Sequence, residues 1–278
     1  MRYGMIAGNG RFPLLALESA RQLGYEIVVI ALQEEAAKEV EALAARCYWV
    51  SIGQLGKLIE ICKREGITEV MMCGQVKHAR IFSSIVPDWR LVKLLAMLPS
   101  KNTDGLIGGV IRVLGDEGIH LRDSTMLLKP MLATAGAMTR RKPDKEETTD
   151  IAYGLRVANA LAGFDVGQSV AICDRACVAV EAMEGTDAML RRAAGLVNGR
   201  RLTLVKVARR REHLLFDVPV VGLTTVGVMR ETGTTVLAVE AGRTLMLDRA
   251  AMIEAANAAG LAILGQVPAG AETGLDGK

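Results

Sequence analysis

The segment 181–192 is the most informative stretch of the chain for chemistry. It reads Glu-Ala-Met-Glu-Gly-Thr-Asp-Ala-Met-Leu-Arg-Arg, with three carboxylates, one hydroxyl and two guanidinium groups around a predicted helix start. Thr186 or Asp187 is predicted to cap this helix, because a short side-chain oxygen accepts from the free first-turn N–H groups. Those N–H groups can also bind a phosphate, and Arg191 follows about one turn later. The carboxylates, Asp187 among them, can hold Mg²⁺; the alternative is a capped surface helix with solvated charges.

A second group is a short glycine loop near the start of the chain. Gly8, Asn9 and Gly10 follow an apolar run and precede a helical pattern. Two glycines let the backbone turn tightly and approach a phosphate or sugar. A dinucleotide fingerprint needs a third small residue where this chain has Pro13. The loop therefore predicts ligand contact, and a nucleotide-dependent oxidoreductase is kept only as a less favoured alternative.

Five further positions are candidates from their place at strand ends. Gln75 and Val76 follow the fourth predicted strand and are expected beside the glycine loop. Gln168 precedes a strand and can bind an amide or hydroxyl, and Lys206 ends a strand and can bind phosphate. Asp217 lies between apolar residues, and a buried carboxylate must be paired, hydrogen-bonded or metal-bound. It is thus a candidate base or Mg²⁺ ligand, with a structural turn aspartate as the alternative.

The elements that position these residues alternate between strand and helix. The first hundred residues read β-α-β-α-β-α-β, with a helix predicted over residues 34–45, which implies a parallel sheet covered on both faces. Ligand-binding loops then lie at the carboxyl ends of the strands. The second half repeats strands and helices, with a charged loop at 140–147, a helix at 150–163 and a helix capped by Asp248.

The predicted fold class is α/β, with an N-terminal Rossmann-like parallel-sheet domain (residues 1–132), a C-terminal catalytic α/β domain (133–267) and a flexible tail (268–278). The formal net charge of +3 is too small to indicate nucleic-acid binding. Neither a membrane-spanning run nor a signal peptide is recognisable, so a cytoplasmic protein is expected. Five cysteines in mostly apolar settings are expected to be free thiols.

These segments together resemble the LpxI-type UDP-2,3-diacylglucosamine pyrophosphatases of lipid A biosynthesis. The resemblance runs over residues 3–265, in matching order and spacing. The segments that carry it are Ile6-Ala-Gly-Asn-Gly-Arg-Phe-Pro13, Gly53-Gln-Leu-Gly-Lys57, Gly74-Gln-Val-Lys77, Asp165-Val-Gly-Gln168, Val180-Glu-Ala-Met-Glu-Gly-Thr-Asp-Ala-Met-Leu-Arg-Arg192 and Phe216-Asp-Val-Pro219.

The resemblance implies a Mg²⁺-dependent hydrolase that cleaves the substrate's diphosphate to UMP and 2,3-diacylglucosamine 1-phosphate (lipid X). It also implies a homodimer, and transient contact with the inner-membrane surface through the acylated substrate. The family's essential aspartate falls on Asp217, its glycine loop on residues 8–10, and its Gly-Thr-Asp on Gly185, Thr186 and Asp187. Our hypothesis is that the glycine loop, Gln75 and the helix start at Thr186 hold the sugar phosphate, while Asp187 stays open between cap and metal ligand.

Two positions depart from the family pattern. Leu215 stands where an arginine precedes the essential aspartate, and Thr103 stands where members often carry the first of two aspartates. The departure at Leu215 favours the alternative of a non-catalytic protein that binds a sugar nucleotide or lipid phosphate.

Overall fold

The computed structural model describes residues 2–76, 86–98, 103–164, 166–209 and 218–268, without the side chains of residues 103 and 104. The described residues divide into two compact units. One unit contains those up to Leu128 and the other those from Lys129 onward. Both units combine helices with β-sheet, which confirms the α/β class.

The first unit is built on a five-stranded parallel sheet with the strand order β3-β2-β1-β4-β5. Strands β1 and β2 are almost continuously apolar because both of their faces are buried. The strand order reverses at β1 and β4, and such a switch point is where open α/β sheets bind ligands. The elements are β1 (Arg2–Ala7), α1 (Phe12–Gln22), β2 (Glu26–Leu32), α2 (Val40–Leu43), β3 (Arg46–Val50), α3 (Leu55–Arg64), β4 (Glu69–Cys73), α4 (Trp89–Met97), α5 (Thr103–Asp116) and β5 (His120–Leu121).

The helix predicted over residues 34–45 is wrong for most of its length, because only Val40–Leu43 is helical. The Glu34 carboxylate accepts hydrogen bonds from the Ser51 hydroxyl and from the Ile52 backbone N–H, which lies 3.2 Å away. These contacts tie residue 34 to the loop after β3. A side-chain competitor of this kind overrides the helical periodicity of the sequence.

The second unit contains a six-stranded mixed sheet with the order β6-β13-β11-β9-β7-β8 and a two-stranded sheet of β10 and β12. Side chains of β9 and β11 alternate between two cores, one under α6 and the other under α7, α8 and α9. After a 3₁₀ turn at Lys129–Met131, the elements are β6 (Gly136–Ala137), α6 (Lys145–Gly163), β7 (Ser169–Cys173), β8 (Ala176–Val180), α7 (Thr186–Leu196), β9 (Leu202–Lys206), β10 (Val220–Val221), α8 (Leu223–Thr232), β11 (Thr234–Glu240), β12 (Leu245–Met246), α9 (Arg249–Ala258) and β13 (Ala262–Gln266).

The charged segment 140–147, predicted as a loop, is non-helical as far as Asp144, and its last three residues form the ordered start of α6. The Asp144 carboxylate accepts from the Glu147 N–H at 2.9 Å, and the Glu147 carboxylate accepts from the Asp144 N–H at 2.8 Å. This reciprocal pair is a capping box. Glu147 is buried because Arg141 and Thr235 each donate to its Oε1 atom at 2.6 Å.

Two further expectations about the second unit are wrong. Helix α8 was not predicted, because its threonines and Gly227 give it a weak helical pattern. Asp248 precedes α9 but does not cap it, because its backbone is left-handed (φ 50°) and its side chain accepts no cap hydrogen bond.

The five cysteines are free thiols, as expected. Burial raises the pKa of the Cys47 and Cys62 thiols to about 11, so both stay protonated at neutral pH. In the part of the chain that the structure describes, we find no helix with the length and apolar character needed to cross a bilayer.

Candidate functional site

In the first unit, the loops after β1 and β4 are joined at the switch point of the sheet. The Asn9 N–H donates to the Gln75 carbonyl at 2.8 Å, and the Gln75 N–H donates back to the Asn9 carbonyl at 3.0 Å. A Cβ atom on Gly8 would lie 2.6 Å from the Gln75 carbonyl oxygen, so only glycine allows this approach. The structure therefore brings Gly8, Asn9 and Gln75 together as the sequence predicted. Gly10 is exposed with φ 95°, and Val76 follows directly on Gln75.

In the second unit, one edge of the mixed sheet collects polar side chains around the first residue of α7. Lys206 ends β9 and is paired in register with Ser169, which starts the neighbouring antiparallel strand β7. The Glu181 N–H donates to the Ser169 carbonyl at 2.9 Å, so the residue after β8 joins the same edge. Thr186 begins α7 above this edge. Strand pairing and the start of α7 thus bring these four polar residues side by side.

The Thr186 hydroxyl is the centre of this group. Its Oγ1 atom lies 2.9 Å from Lys206 Nζ, 2.8 Å from Glu181 Oε1 and 3.2 Å from Ser169 Oγ. A hydroxyl has one proton to donate and two lone pairs to accept with. The carboxylate can only accept and the ammonium can only donate, so Thr186 donates to Glu181 and accepts from Lys206 and Ser169. All of its hydrogen-bonding capacity is used, which fixes its orientation.

Two features of this group point to a ligand. The Oε2 atom of Glu181 is buried and has no hydrogen-bond partner among the described residues. A buried carboxylate oxygen without a donor or cation is costly. The Lys206 ammonium carries three N–H donors. Within the described residues it donates a hydrogen bond to Thr186. The group thus offers an acceptor for a cation or donor and further donors for an anion.

The prediction that Thr186 or Asp187 caps α7 is wrong. The N-cap residue is Gly185, with φ 84°, and the helix start has no side-chain cap hydrogen bond. The physical reason is that the Thr186 hydroxyl is committed to Lys206, Glu181 and Ser169 at the first helical position. By contrast, Asp88 caps α4 by accepting the Leu91 N–H at 2.9 Å. The first turn of α7 therefore keeps its N–H groups for another acceptor, next to an ammonium group.

The two arginines of α7 are engaged in exposed ion pairs. Arg191 contacts both carboxylate oxygens of Glu231 on α8, at 2.9–3.1 Å, and these hydrogen bonds raise the pKa of Arg191. Arg192 donates to the Glu184 carboxylate at 2.6 Å. An exposed ion pair is worth about 1 kcal/mol or less, and phosphate binding by Arg191 stays a prediction.

Of the two predicted metal ligands, Asp187 and Asp217, only Asp187 lies in the described part of the chain. Within the described ranges, no three His, Cys, Asp or Glu side chains cluster as a metal site. Asp187 lies in the first turn of α7, where a negative charge interacts favourably with the helix dipole. Asp217, Leu215 and the Thr103 side chain lie outside what the structure describes, so the catalytic and metal roles of Asp217 stay predictions.

Ser169 and Glu240 were missed at the sequence level. Glu240 ends β11, is buried, and accepts the Ala208 N–H at 2.9 Å just beyond the end of β9. Each is a polar residue at the boundary of an apolar strand, and both boundaries fall at the same sheet edge. Knowledge of the strand order would have identified them. Gln168 lies beside them, with its carbonyl accepting the Val207 N–H at 2.9 Å.

Solved structures give only distant similarities. A phosphoribosylglycinamide synthetase from Anaerococcus prevotii is 14% identical, with a TM-score of 0.27, covering 62% of this chain and 31% of that one. A UDP-glucose-4-epimerase from Stenotrophomonas maltophila is 11% identical, with a TM-score of 0.26, covering 43% and 34%. This chain spans about a third of the length of each, and at these TM-scores neither similarity supports a statement about function.

Sequence comparison is far more informative. The family description "LpxI N-terminal domain" matches residues 2–131, and "LpxI C-terminal domain" matches residues 134–264. The chain is 32% identical over 277 residues to the UDP-2,3-diacylglucosamine pyrophosphatase LpxI of Caulobacter vibrioides, covering 96% of this chain and 98% of that protein. Both matches extend over both units, so this chain belongs to the LpxI family.

Proposed function

We propose that this protein hydrolyses the diphosphate of UDP-2,3-diacylglucosamine in lipid A biosynthesis, releasing UMP and 2,3-diacylglucosamine 1-phosphate (lipid X). Family membership and the name of the Caulobacter relative support the substrate and the reaction class. The observation in this chain that carries the proposal is the open first turn of α7 with the Lys206 ammonium beside it. Backbone N–H groups and an adjacent cation are what a phosphate group requires.

Lys206 and the start of α7 would bind a phosphate oxygen of the substrate. The hydrogen bond to Thr186 positions Lys206, and Glu181 in turn orients the Thr186 hydroxyl. An ammonium held in this way stabilises negative charge that develops on the phosphate as the bond breaks. Gly8, Asn9, Gly10, Gln75 and Val76 are proposed to bind the substrate at the switch point of the first unit, and Gln168, Gly185 and Arg191 beside the α7 start.

Asp217 is proposed as the catalytic residue, either as a Mg²⁺ ligand or as the base that takes a proton from the attacking water. The unpartnered Glu181 Oε2 atom fits a divalent cation as one carboxylate ligand, since Mg²⁺ needs only one or two carboxylates beside water and phosphate oxygens. When bound, the cation would neutralise charge on the phosphate oxygens. Asp187 is proposed as the alternative protein ligand.

The experiment is UMP release from UDP-2,3-diacylglucosamine, with Mg²⁺ and with EDTA, for the wild type and for Asp217→Asn. We expect turnover with Mg²⁺, little with EDTA, and little for Asp217→Asn at unchanged thermal stability. A folded Asp217→Asn variant with wild-type turnover would contradict the catalytic role. A wild type that binds the substrate without releasing UMP would instead support the non-catalytic alternative.

Lys206→Met tests the phosphate-binding role separately. Loss of a charged hydrogen bond of about 1.5–3 kcal/mol predicts a KM that is about 10- to 150-fold higher. Lys57→Met is the matched control, since Lys57 is exposed and its ammonium contacts only the Trp49 carbonyl, at 3.3 Å, among the described residues. The two variants should differ in KM, and equal KM values would exclude Lys206 from the site. The homodimer and the cytoplasmic location stay predictions of the sequence analysis.

A further inference from the structure

Helix α4 of the first unit exposes an unusual run of apolar side chains. Trp89 is 76% exposed, Met97 72% and Val92 41%, and Val86, three residues before the helix, is 87% exposed. These are four of the eleven large apolar side chains exposed among the described residues, and they fall within twelve positions of the chain. Scattered apolar residues on a surface are ordinary, whereas a contiguous group marks an interaction site.

The exposed residues form one face of α4. At about 100° per residue, Val92, Ala96, Trp89, Lys93 and Met97 follow one another around a single arc of the helix. The opposite arc is the buried one, where Leu91 and Leu94 are only 8% and 7% exposed in the core of the unit. The helix is therefore anchored through its other side, and the apolar side chains of this arc are exposed.

The charges on α4 are all positive. It carries Arg90 and Lys93 and no acidic residue. Arg90 is paired with Glu117, and Lys93 has no ion-pair partner among the described residues. The capping carboxylate of Asp88 is occupied by the N–H groups of Leu91, at 2.9 Å, and of Gly56, at 2.6 Å. The face thus combines a central tryptophan and flexible apolar side chains with the Lys93 ammonium, which forms no ion pair within the described ranges.

We propose that this face of α4 binds the surface of an anionic lipid bilayer. Interfacial helices place aromatic and aliphatic side chains at the boundary between headgroups and acyl chains, and their lysines contact anionic headgroups. A second copy of the chain is a poorer partner, because a twofold contact would set two faces against each other that each carry Lys93 and no carboxylate to pair with it. The inference rests on the proposed function in one respect, which is that a substrate with two acyl chains resides in a membrane.

The sequence contains only two tryptophans, so a Trp49→Phe variant leaves Trp89 as a single reporter. We expect its emission to shift to shorter wavelength with vesicles that contain phosphatidylglycerol, and to be quenched by brominated acyl chains. Pure phosphatidylcholine vesicles should produce a much smaller shift. An emission maximum that does not respond to the anionic vesicles would overturn the proposal.

Sedimentation with the same vesicles tests the residues. Lys93→Glu should weaken binding about tenfold or more, because each basic residue near an anionic surface contributes to binding and this change reverses one charge. A Trp89→Ser/Val92→Ser/Met97→Ser variant should lose binding, while Leu23→Ser, which alters another exposed apolar residue of the same unit, should not. Equal binding by all variants would contradict the assignment. A change in molar mass without a change in vesicle binding would show that a second copy covers the face.

Activity assays separate this inference from the proposed function. With UDP-2,3-diacylglucosamine dispersed in detergent, the triple variant should match the wild type in UMP release. With the substrate embedded in anionic vesicles, its rate should fall in proportion to its loss of binding. If the wild type hydrolyses the substrate but does not bind vesicles, the membrane inference fails alone. If it binds vesicles but does not hydrolyse, the proposed function fails alone.

Discussion

Replacement of Thr186 by valine should disrupt the polar group at the start of α7 with almost no change in side-chain shape. The Thr186 hydroxyl makes hydrogen bonds of 2.8 Å to Glu181, 2.9 Å to Lys206 and 3.2 Å to Ser169. Valine removes all three, and leaves the Ser169 hydroxyl, which is 1% exposed, without its partner. We therefore expect loss of both stability and phosphate binding.

The magnitude follows from these contacts. An average intramolecular hydrogen bond contributes about 0.5–1.5 kcal/mol net, and a buried polar group left unsatisfied costs about 1–3 kcal/mol. We expect Thr186→Val to lower the free energy of unfolding of the second unit by about 2–4 kcal/mol. Thr186→Ser keeps the hydroxyl and loses one methyl group, so its cost should be about 0.8 kcal/mol.

The assay is urea denaturation followed by circular dichroism, together with KM for UDP-2,3-diacylglucosamine. Thr149→Val is the control, because Thr149 is exposed on α6 and its hydroxyl donates only to the Lys145 carbonyl, at 2.9 Å. Stability should rank Thr149→Val and Thr186→Ser close to the wild type and Thr186→Val well below. If Thr186→Val were as stable as Thr149→Val and kept the wild-type KM, the hydrogen-bond network described here would be refuted.

Two further predictions concern the first unit. Gly8→Ala should raise KM and destabilise the unit. Its new Cβ atom would lie 2.6 Å from the Gln75 carbonyl oxygen and would push the two loops apart. A variant with the wild-type KM and melting temperature would contradict this. Hydrogen bonds from Lys63 and then Arg90 lower the pKa of Glu117 from 4.5 to about 2. The stabilisation by the ionised Glu117 carboxylate is complete above its unfolded pKa and is lost as pH falls from about 5 to 2. Over this pH range, Glu117→Gln should therefore lose less folding free energy than the wild type in acid denaturation. Parallel curves for the two proteins would rule the effect out.

The sequence predicted well those strands and helices in which a regular pattern of apolar residues continues over the whole element. The pattern predicts a strand at residues 26–32 and a helix at residues 54–65. The structure has β2 at Glu26–Leu32 and α3 at Leu55–Arg64. Both elements bury one or two continuous faces, and burial is what the pattern records. The same reasoning found the loop pair at residues 8–10 and 75, since neighbouring parallel strands bring their carboxyl ends to one edge.

The errors arise where single side chains decide the backbone. Glu34 binds the loop after β3 and prevents a helix, whereas Asp144 and Glu147 cap one another and start a helix inside a charged run. Such contacts depend on one carboxylate reaching one N–H group, and periodicity does not encode them. Thr186 belongs to the same class, because its partners Ser169 and Lys206 come from strands that are distant in sequence.

UMP release from UDP-2,3-diacylglucosamine by the purified protein tests the central claim most directly. With Mg²⁺ present, we predict turnover by the wild type, a sharply higher KM for Lys206→Met and little turnover for Asp217→Asn. Absence of UMP from a folded wild type that contains Mg²⁺ and binds the substrate would contradict the proposed hydrolase.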